Sequence, residues 1–370
     1  MAKESRILLL KVWCTPTSAL TLTIPQQNIL IRQSVSASVC AQLWKRLVTQ
    51  EATVNFCEKA KLHFLSAELI ADRQVEQGKY EIAKLASLSV KRNLDFTLLK
   101  GAAYIATNLP NASGRLYSDI DLLVPKKDLN LAESELMLQG FRRTEIEDYN
   151  EEYYRKWMHE IPPLRHHKRS IVLDLHHNIL PLTVKTTPDI TYLHQDAITL
   201  SNGLKTLSNT DILLHCAVHL FHEGEFEKGL RDLIDLDFLF THFSNENKDF
   251  QLDLFNRAKQ LGLTYNLFLA SYFCELVLNT PFEEVYRSEI KKVSPSKLKL
   301  LFLKNTFREV FIPHHASCET WRFKLARILL YIRGHLIRMP LKLLVPHLCR
   351  KSVMAIKDSF KKEDTDTFMG

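Results

Sequence analysis

The chain has 370 residues, 46% of them hydrophobic and 25% charged, with a formal net charge of +7. This balance excludes a mostly disordered chain, a collagen-like fibre and a small disulfide scaffold, and the length admits two or three domains. The 10 glycines are few for a turn-dense all-β protein and suit a helix-rich one, while the mild basic excess suits an anionic substrate such as a nucleotide.

Residues 1–30 read as an irregular leader with one strand near Ala19–Ile24. The apolar patch Ile7 to Leu10 is interrupted at Lys11 and no cleavage-like site follows, so no signal peptide is expected. Residues 33–92 read as helices, because Ala60, Leu62, Leu65, Leu69 and Ile70, then Ile82, Leu85 and Leu88, recur near the helical period. The texture changes at Asn93. Phe96 to Leu99 is a short apolar strand, Lys100-Gly101 follows, and Ala102 to Ile105 opens a helix. Asp119 to Val124 alternates and stops at Pro125, a strand signature. Residues 127–139 return to helix and end at Gly140, and Phe141 to Glu145 is a third strand. Pro163 to His177 reads as a hairpin, and short β pieces flank Ser201-Asn202-Gly203. From Asn209 the pattern is helical again, with Asp211 as an N-cap and helices at 212–222, 228–243, 250–262, 265–278, 296–308 and 321–338.

The chain therefore divides into a helical lead (1–92), a mixed α/β core (93–208), a helical region (209–340) and a basic, partly disordered tail (341–370). The fold class is α+β. Seven cysteines (Cys14, Cys40, Cys57, Cys216, Cys274, Cys318 and Cys349) are widely spaced and form no CxxC pair. They read as reduced thiols of a cytoplasmic protein. No apolar run reaches about 18 residues, so no membrane-spanning helix is expected.

The stretch Gly114-Arg115-Leu116-Tyr117-Ser118-Asp119-Ile120-Asp121-Leu122-Leu123-Val124 carries the chemistry. Side chains two apart on a strand share a face, so Asp119 and Asp121 project together. Adjacent carboxylates repel and are costly without a cation, and Mg²⁺ is bound by a few carboxylates plus substrate phosphates. Asp174 lies in the middle of the apolar strand Ile171 to Leu175, where an ionised carboxylate needs a partner. A shared metal supplies one; Arg165 or His176 is the alternative. Asp119, Asp121 and Asp174 are thus candidate metal ligands for phosphoryl chemistry.

The runs Leu98-Leu99-Lys100-Gly101-Ala102-Ala103, Gly114 to Val124 and Ile171 to His177 occur in that order. Together with Asp211 to His219 and Arg231 to Asp235, they resemble the uncharacterised nucleotidyltransferase family of the polymerase-β-type nucleotidyltransferase superfamily. The resemblance spans roughly residues 60–245. It implies a mixed sheet flanked by helices, with Asp119 and Asp121 on one strand and Asp174 on its neighbour. It also implies Mg²⁺-dependent (or Mn²⁺-dependent) transfer of a nucleoside monophosphate from an NTP such as ATP to a hydroxyl acceptor, with release of pyrophosphate. Asp119 and Asp121 would hold the metal on the triphosphate, and Asp174 would serve a second metal at the acceptor hydroxyl. The superfamily's nucleotide-binding turn is usually Gly-Gly or Gly-Ser. Here it is Gly101-Ala102, without a hydroxyl, and the 16 residues between Ala102 and Asp119 make a long interval. Lys100, Gly101, Ala102, Arg115 and Ser118 are the corresponding nucleotide-binding candidates. The missing hydroxyl motivates an alternative, a non-catalytic nucleotide-sensing or partner-binding module on the same fold.

Other residues have plainer readings. Tyr117 is assigned to packing. His215, His219 and His222 share one helix face, but core packing or contact with the site edge outweighs zinc binding. His176 is a candidate neighbour of Asp174. Arg231 and Asp235 stand at i, i+4, where an ion pair is the default. Trp321 to Lys357 has nine Lys/Arg and no Asp/Glu, with an apolar stripe of Leu325, Ile328, Leu329, Ile332 and Leu336. It reads as a helix covering the core; peripheral contact with anionic lipid is the less favoured reading. The acceptor is a small molecule or sugar, a protein side chain or an RNA end, and the sequence does not choose among them.

Overall fold

The computed structural model describes residues 6–143, 155–169, 171–184, 187–339 and 342. Its first elements are helical: α1 (Leu8–Cys14), a 3-10 turn (Pro16–Thr21) and α2 (Ile24–Ser36). The strand expected near Ala19–Ile24 does not form. Pro16 and Pro25 both sit in the first turn of a helical segment, where a missing N–H costs nothing. Thr23 and Gln26 close a capping box on α2. In α1, Leu8, Leu9, Val12 and Trp13 fall on one face and are buried, so the leader is part of the core. Next come α3 (Cys40–Thr49) and the 35-residue α4 (Glu58–Arg92), which Asn93 ends in the left-handed conformation.

The central segment forms one mixed sheet of order β3-β4-β5-β2-β1-β7-β6. Its strands are β1 (Thr97–Leu98), β2 (Ile120–Leu123), β3 (Phe141–Arg143), β4 (Leu164–His166), β5 (Val172–His176), β6 (Ile198–Thr199) and β7 (Lys205–Thr206). β2 runs antiparallel to β1 and parallel to β5, in a register that sets Asp121 opposite Asp174. All four residues of β2 are buried, as befits a strand covered on both faces. Helices α5 (Lys100–Ala106), α6 (Leu129–Leu138) and α7 (Ile190–Gln195) connect the strands. Residues 144 and 145 of the expected third strand, and the expected tail from 343 on, lie outside the described residues.

The helical remainder comprises α8 (Asn209–His222), α9 (Gly229–Glu246), α10 (Phe250–Gln260), α11 (Thr264–Phe273) with a π turn to Leu278, α12 (Glu284–Lys292), α13 (Lys297–Val310) and α14 (Trp321–Arg338). One apolar cluster runs from Leu8 through the sheet to Leu330. Ser208, not Asp211, caps α8; Asp211 is buried and takes a two-pronged contact from Arg257, with both N···O distances 2.7 Å.

The face of α14 differs from expectation. Leu325, Ile328, Ile332 and Leu336 are 46–58% exposed, while Phe323, Ala326, Leu330 and Gly334 are buried. The helix carries two apolar rows, and the row with small residues packs inward because Gly334 meets the backbone of Gly224 there. Arg333 and Arg338 donate to the terminal carbonyls of Phe221 and His222 in α8. Among the described residues, no helix is long and apolar enough to cross a membrane, and the six cysteines are all free.

Candidate active site

β2 and β5 bring two carboxylates together because their parallel register pairs Asp121 with Asp174. Asp121 is 4% exposed. Its Oδ1 accepts from Lys100 Nζ at 2.9 Å and from His176 Nε2 at 3.0 Å. Burial pushes this carboxyl up, but the Lys100 ammonium and the His176 hydrogen bond outweigh burial and hold it well below the usual carboxylate range. Burial likewise opposes the charge on Lys100, and Asp121 overcomes it, raising the ammonium above its ordinary value.

Asp174 has no such support. Its buried Oδ1 lacks a hydrogen-bond partner among the described residues. Burial, then the neighbouring Asp121 and Glu160 charges, push it up to about 7. Neither Arg165 nor His176 neutralises it by a hydrogen bond. An orphaned buried carboxyl oxygen beside a second carboxylate is the donor set a hard divalent cation takes.

Lys100 adopts φ +41, a left-handed conformation that costs a non-glycine residue about 1–3 kcal/mol. The strained backbone starts α5 directly after β1, and from there Lys100 reaches Asp121. Gly101 has a packing reason: a Cβ there would lie 2.6 Å from the Tyr117 ring. Asp119 precedes β2. With Ala102, Tyr117, Ser118 and residues of α4 it lines a cavity of about 120 Å³. Small-molecule pockets begin near 300 Å³, so admitting a whole nucleotide requires Tyr117 or α4 to shift. Ser118 is exposed and accepts from Lys228 Nζ at 3.2 Å.

Arg115 is placed elsewhere. It is 6% exposed, and its Nε donates to Asp235 Oδ2 at 2.8 Å. Its guanidinium stacks over Tyr104 and Tyr117. Asp235 therefore pairs across 120 residues with Arg115, and Arg231 pairs with its neighbour Asp232 at 2.7 Å, replacing the expected Arg231–Asp235 pair. The helix histidines do not converge on an ion. His215 is buried beside the Lys100–Asp121 pair and held neutral by burial and the nearby cations, at about 3. His219 faces Asp232 and Glu223, and His222 meets Asn266.

Two neighbours escaped the sequence reading. Glu160 forms an isolated bridge with His176, and its Oε2 stands 3.4 Å from His176 Nδ1. The His159 ring lies 5.3 Å from the His176 ring. Neither residue falls in a periodic element, and no spacing marks either one.

Fold and site together define a nucleotidyltransferase-type protein: paired aspartates on adjacent strands of a mixed sheet, with a lysine and a histidine on them. Residues 26–279 match the model of the uncharacterised nucleotidyltransferases, and the chain belongs to that family. Among solved structures it is similar to an antigenic nucleotidyltransferase-like protein from Paracoccidioides brasiliensis. The identity is 15%, over 56% of this chain and 94% of that one, and the TM-score of 0.32 makes the likeness too slight to bear on the site. A comparison with curated proteins gives no match.

Proposed function

We propose that the protein transfers a nucleoside monophosphate from an NTP to a hydroxyl acceptor, with Mg²⁺ held by Asp119, Asp121 and Asp174, and releases pyrophosphate. The observation that carries this reading is the unpartnered, buried Oδ1 of Asp174 set opposite the ionised Asp121. The residues fit a hard cation, which when bound balances the clustered carboxylates and the charge developing on the transferred phosphoryl group. Asp121 stays ionised at neutral pH, so it is ready as a ligand. Asp174, poised near 7, readily gives up its proton when a cation displaces it or a nearby base accepts it.

Lys100 supplies the balancing charge in the metal-free chain. Its side chain is 18% exposed, so the same ammonium is available to the phosphates of an incoming triphosphate. Ser118 and Ala102 border the cavity beside Asp119. Arg115 acts as a strut, fixing the loop that enters β2 to α9, since its Nε donates to Asp235 and its Nη2 stands 3.9 Å from Asp232. The acceptor is identified by incubating the protein with labelled NTPs, Mg²⁺ and cell extract, followed by mass spectrometry of the products. A labelled small molecule, protein or RNA end supports transfer and names the acceptor class. Saturable NTP binding without pyrophosphate release supports the sensing module that Ala102 motivates. Neither transfer nor NTP binding overturns both.

A further inference from the structure

Next to Asp121, His159, Glu160 and His176 each offer a ligand atom, and these atoms all lie within 4.8 Å of one another. The group is distinct from the aspartates in its chemistry: two imidazoles and one carboxylate, a set that suits a borderline-soft divalent ion and not Mg²⁺. Three observations turn it from a cluster into a site.

First, His176 is 2% exposed, and its Nδ1 has no hydrogen-bond partner among the described residues. The buried nitrogen of His159, Nδ1, is likewise without one. Two neighbouring buried ring nitrogens without partners are uncommon, because each such group carries a desolvation cost of about 1–3 kcal/mol. Second, His176 Nε2 is committed to Asp121 Oδ1 at 3.0 Å. When Nε2 carries its proton toward that carboxylate, the neutral ring presents a lone pair at Nδ1, on the side of Glu160. A carboxylate holding the far nitrogen of a ligating histidine is the usual outer support of a zinc-type centre. Third, one pair of ligand atoms already has the spacing that a metal imposes. Zinc bonds of about 2.0–2.2 Å place tetrahedral ligand atoms roughly 3.4 Å apart. His176 Nδ1 and Glu160 Oε2 are already 3.4 Å apart.

We propose that His159, Glu160 and His176 form a second metal site, for a divalent ion of the zinc class, with Asp121 as the carboxylate that orients His176. Three protein ligands leave the fourth position open to water. The ion clamps the ring that holds Asp121, so it acts on the carboxylate pair as a positioning element. The assignment of this site does not rest on the transfer reaction.

The test uses the full chain, freed of metal by a chelator, and Zn²⁺ alone as the probe. Calorimetry with elemental analysis should find one tightly held Zn²⁺ per chain, not displaced by excess Mg²⁺. Co²⁺ in its place should give tetrahedral visible bands without the near-ultraviolet charge-transfer band of a thiolate. His159→Ala and Glu160→Gln should each lose the stoichiometric ion, with circular dichroism confirming the fold. Asp121→Asn should keep one site and weaken it by about 10–100-fold, the effect of losing an outer partner. Asp174→Asn should leave Zn²⁺ binding unchanged, which separates failure of this site from failure of the Mg²⁺ reading. No stoichiometric Zn²⁺, a thiolate band, displacement by Mg²⁺, or full retention in both His159→Ala and Glu160→Gln would each overturn the proposal.

Discussion

Two buried charged networks touch α5, one at Lys100 and one at Tyr104, and they are built to opposite ends. Around Arg115 the account closes: Arg115 and Arg231 face Asp232 and Asp235, and the contacts at 2.7–2.8 Å leave no carboxylate without a cation. Around Asp121 it stays open. Asp119, Asp121, Glu160 and Asp174 face one lysine and one histidine, and Asp174 Oδ1 has no partner. A closed network of this kind holds two segments together. An open one, with an excess of like charge under cover, keeps a cost that a bound proton or a ligand removes. The difference separates strut from site more reliably than the residue types do, since both clusters contain aspartates and a basic residue.

The largest effect is expected in the open cluster. Asp121→Asn should lower nucleotidyl transfer by about 10²–10³-fold or more, the scale of losing one charge partner in a transition state. Product formation over time checks it. Asparagine is the informative choice because Asp121→Ala would strand the Lys100 ammonium and the His176 ring as well as remove a ligand. In the closed cluster, Arg115→Met should destabilise by about 3–5 kcal/mol, because it leaves buried carboxylates uncompensated. Denaturant unfolding reads that loss. If Arg115→Met folded normally and lost only NTP affinity, the strut assignment would fall and the arginine would belong at the phosphates.

Truncation before Trp321 comes next. It exposes the partners of Phe323 and Leu330, and a large buried side chain alone is worth about 3–5 kcal/mol. A lowered melting temperature is the expected outcome. Substituting Ile328 or Ile332 on the outer row by Gln should change the unfolding free energy by less than about 0.5 kcal/mol.

Asp174 gives a pH signature of the same order. Its folded value of about 7 lies above the usual carboxyl value of 3.8, so the folded chain binds the extra proton between those limits. Stability from this group is complete below about pH 4 and is lost as pH rises through 7, by up to about 4 kcal/mol. Asp174→Asn should flatten that decline and make the metal-free protein more stable than wild type at pH 8. The smallest effect concerns the turn: Ala102→Ser adds the hydroxyl common in the superfamily, worth about 1 kcal/mol, and should change the NTP KM only several-fold.

Much of this arrangement was legible in the sequence for physical reasons. Asp121 and Asp174 interrupt strands that are otherwise apolar, with Asp119 just before one of them, and a carboxylate there has to be answered by something. The strands themselves announce period two between Pro and Gly stops. Other parts were not legible. Glu160 and His159 reach the site through an irregular segment held to the end of β5 by backbone hydrogen bonds at His159 and Ile161. Arg115 and Asp235 meet across 120 residues, which no local spacing encodes. The leader reads as irregular with one strand, whereas Pro16 and Pro25 start helical turns there. On α14, two apolar rows compete, and the choice is made by Gly224 packing on Gly334, a contact invisible to periodicity.

The central claim is that the carboxylate pair is an unfilled cation site and the arginine cluster is not. The direct measurement is thermal unfolding at pH 8 with and without Mg²⁺ and an NTP, for wild type, Asp174→Asn and Arg231→Lys. The account predicts a rise in melting temperature for wild type and Arg231→Lys and none for Asp174→Asn. An equal rise in Asp174→Asn, or no rise in wild type, would contradict it.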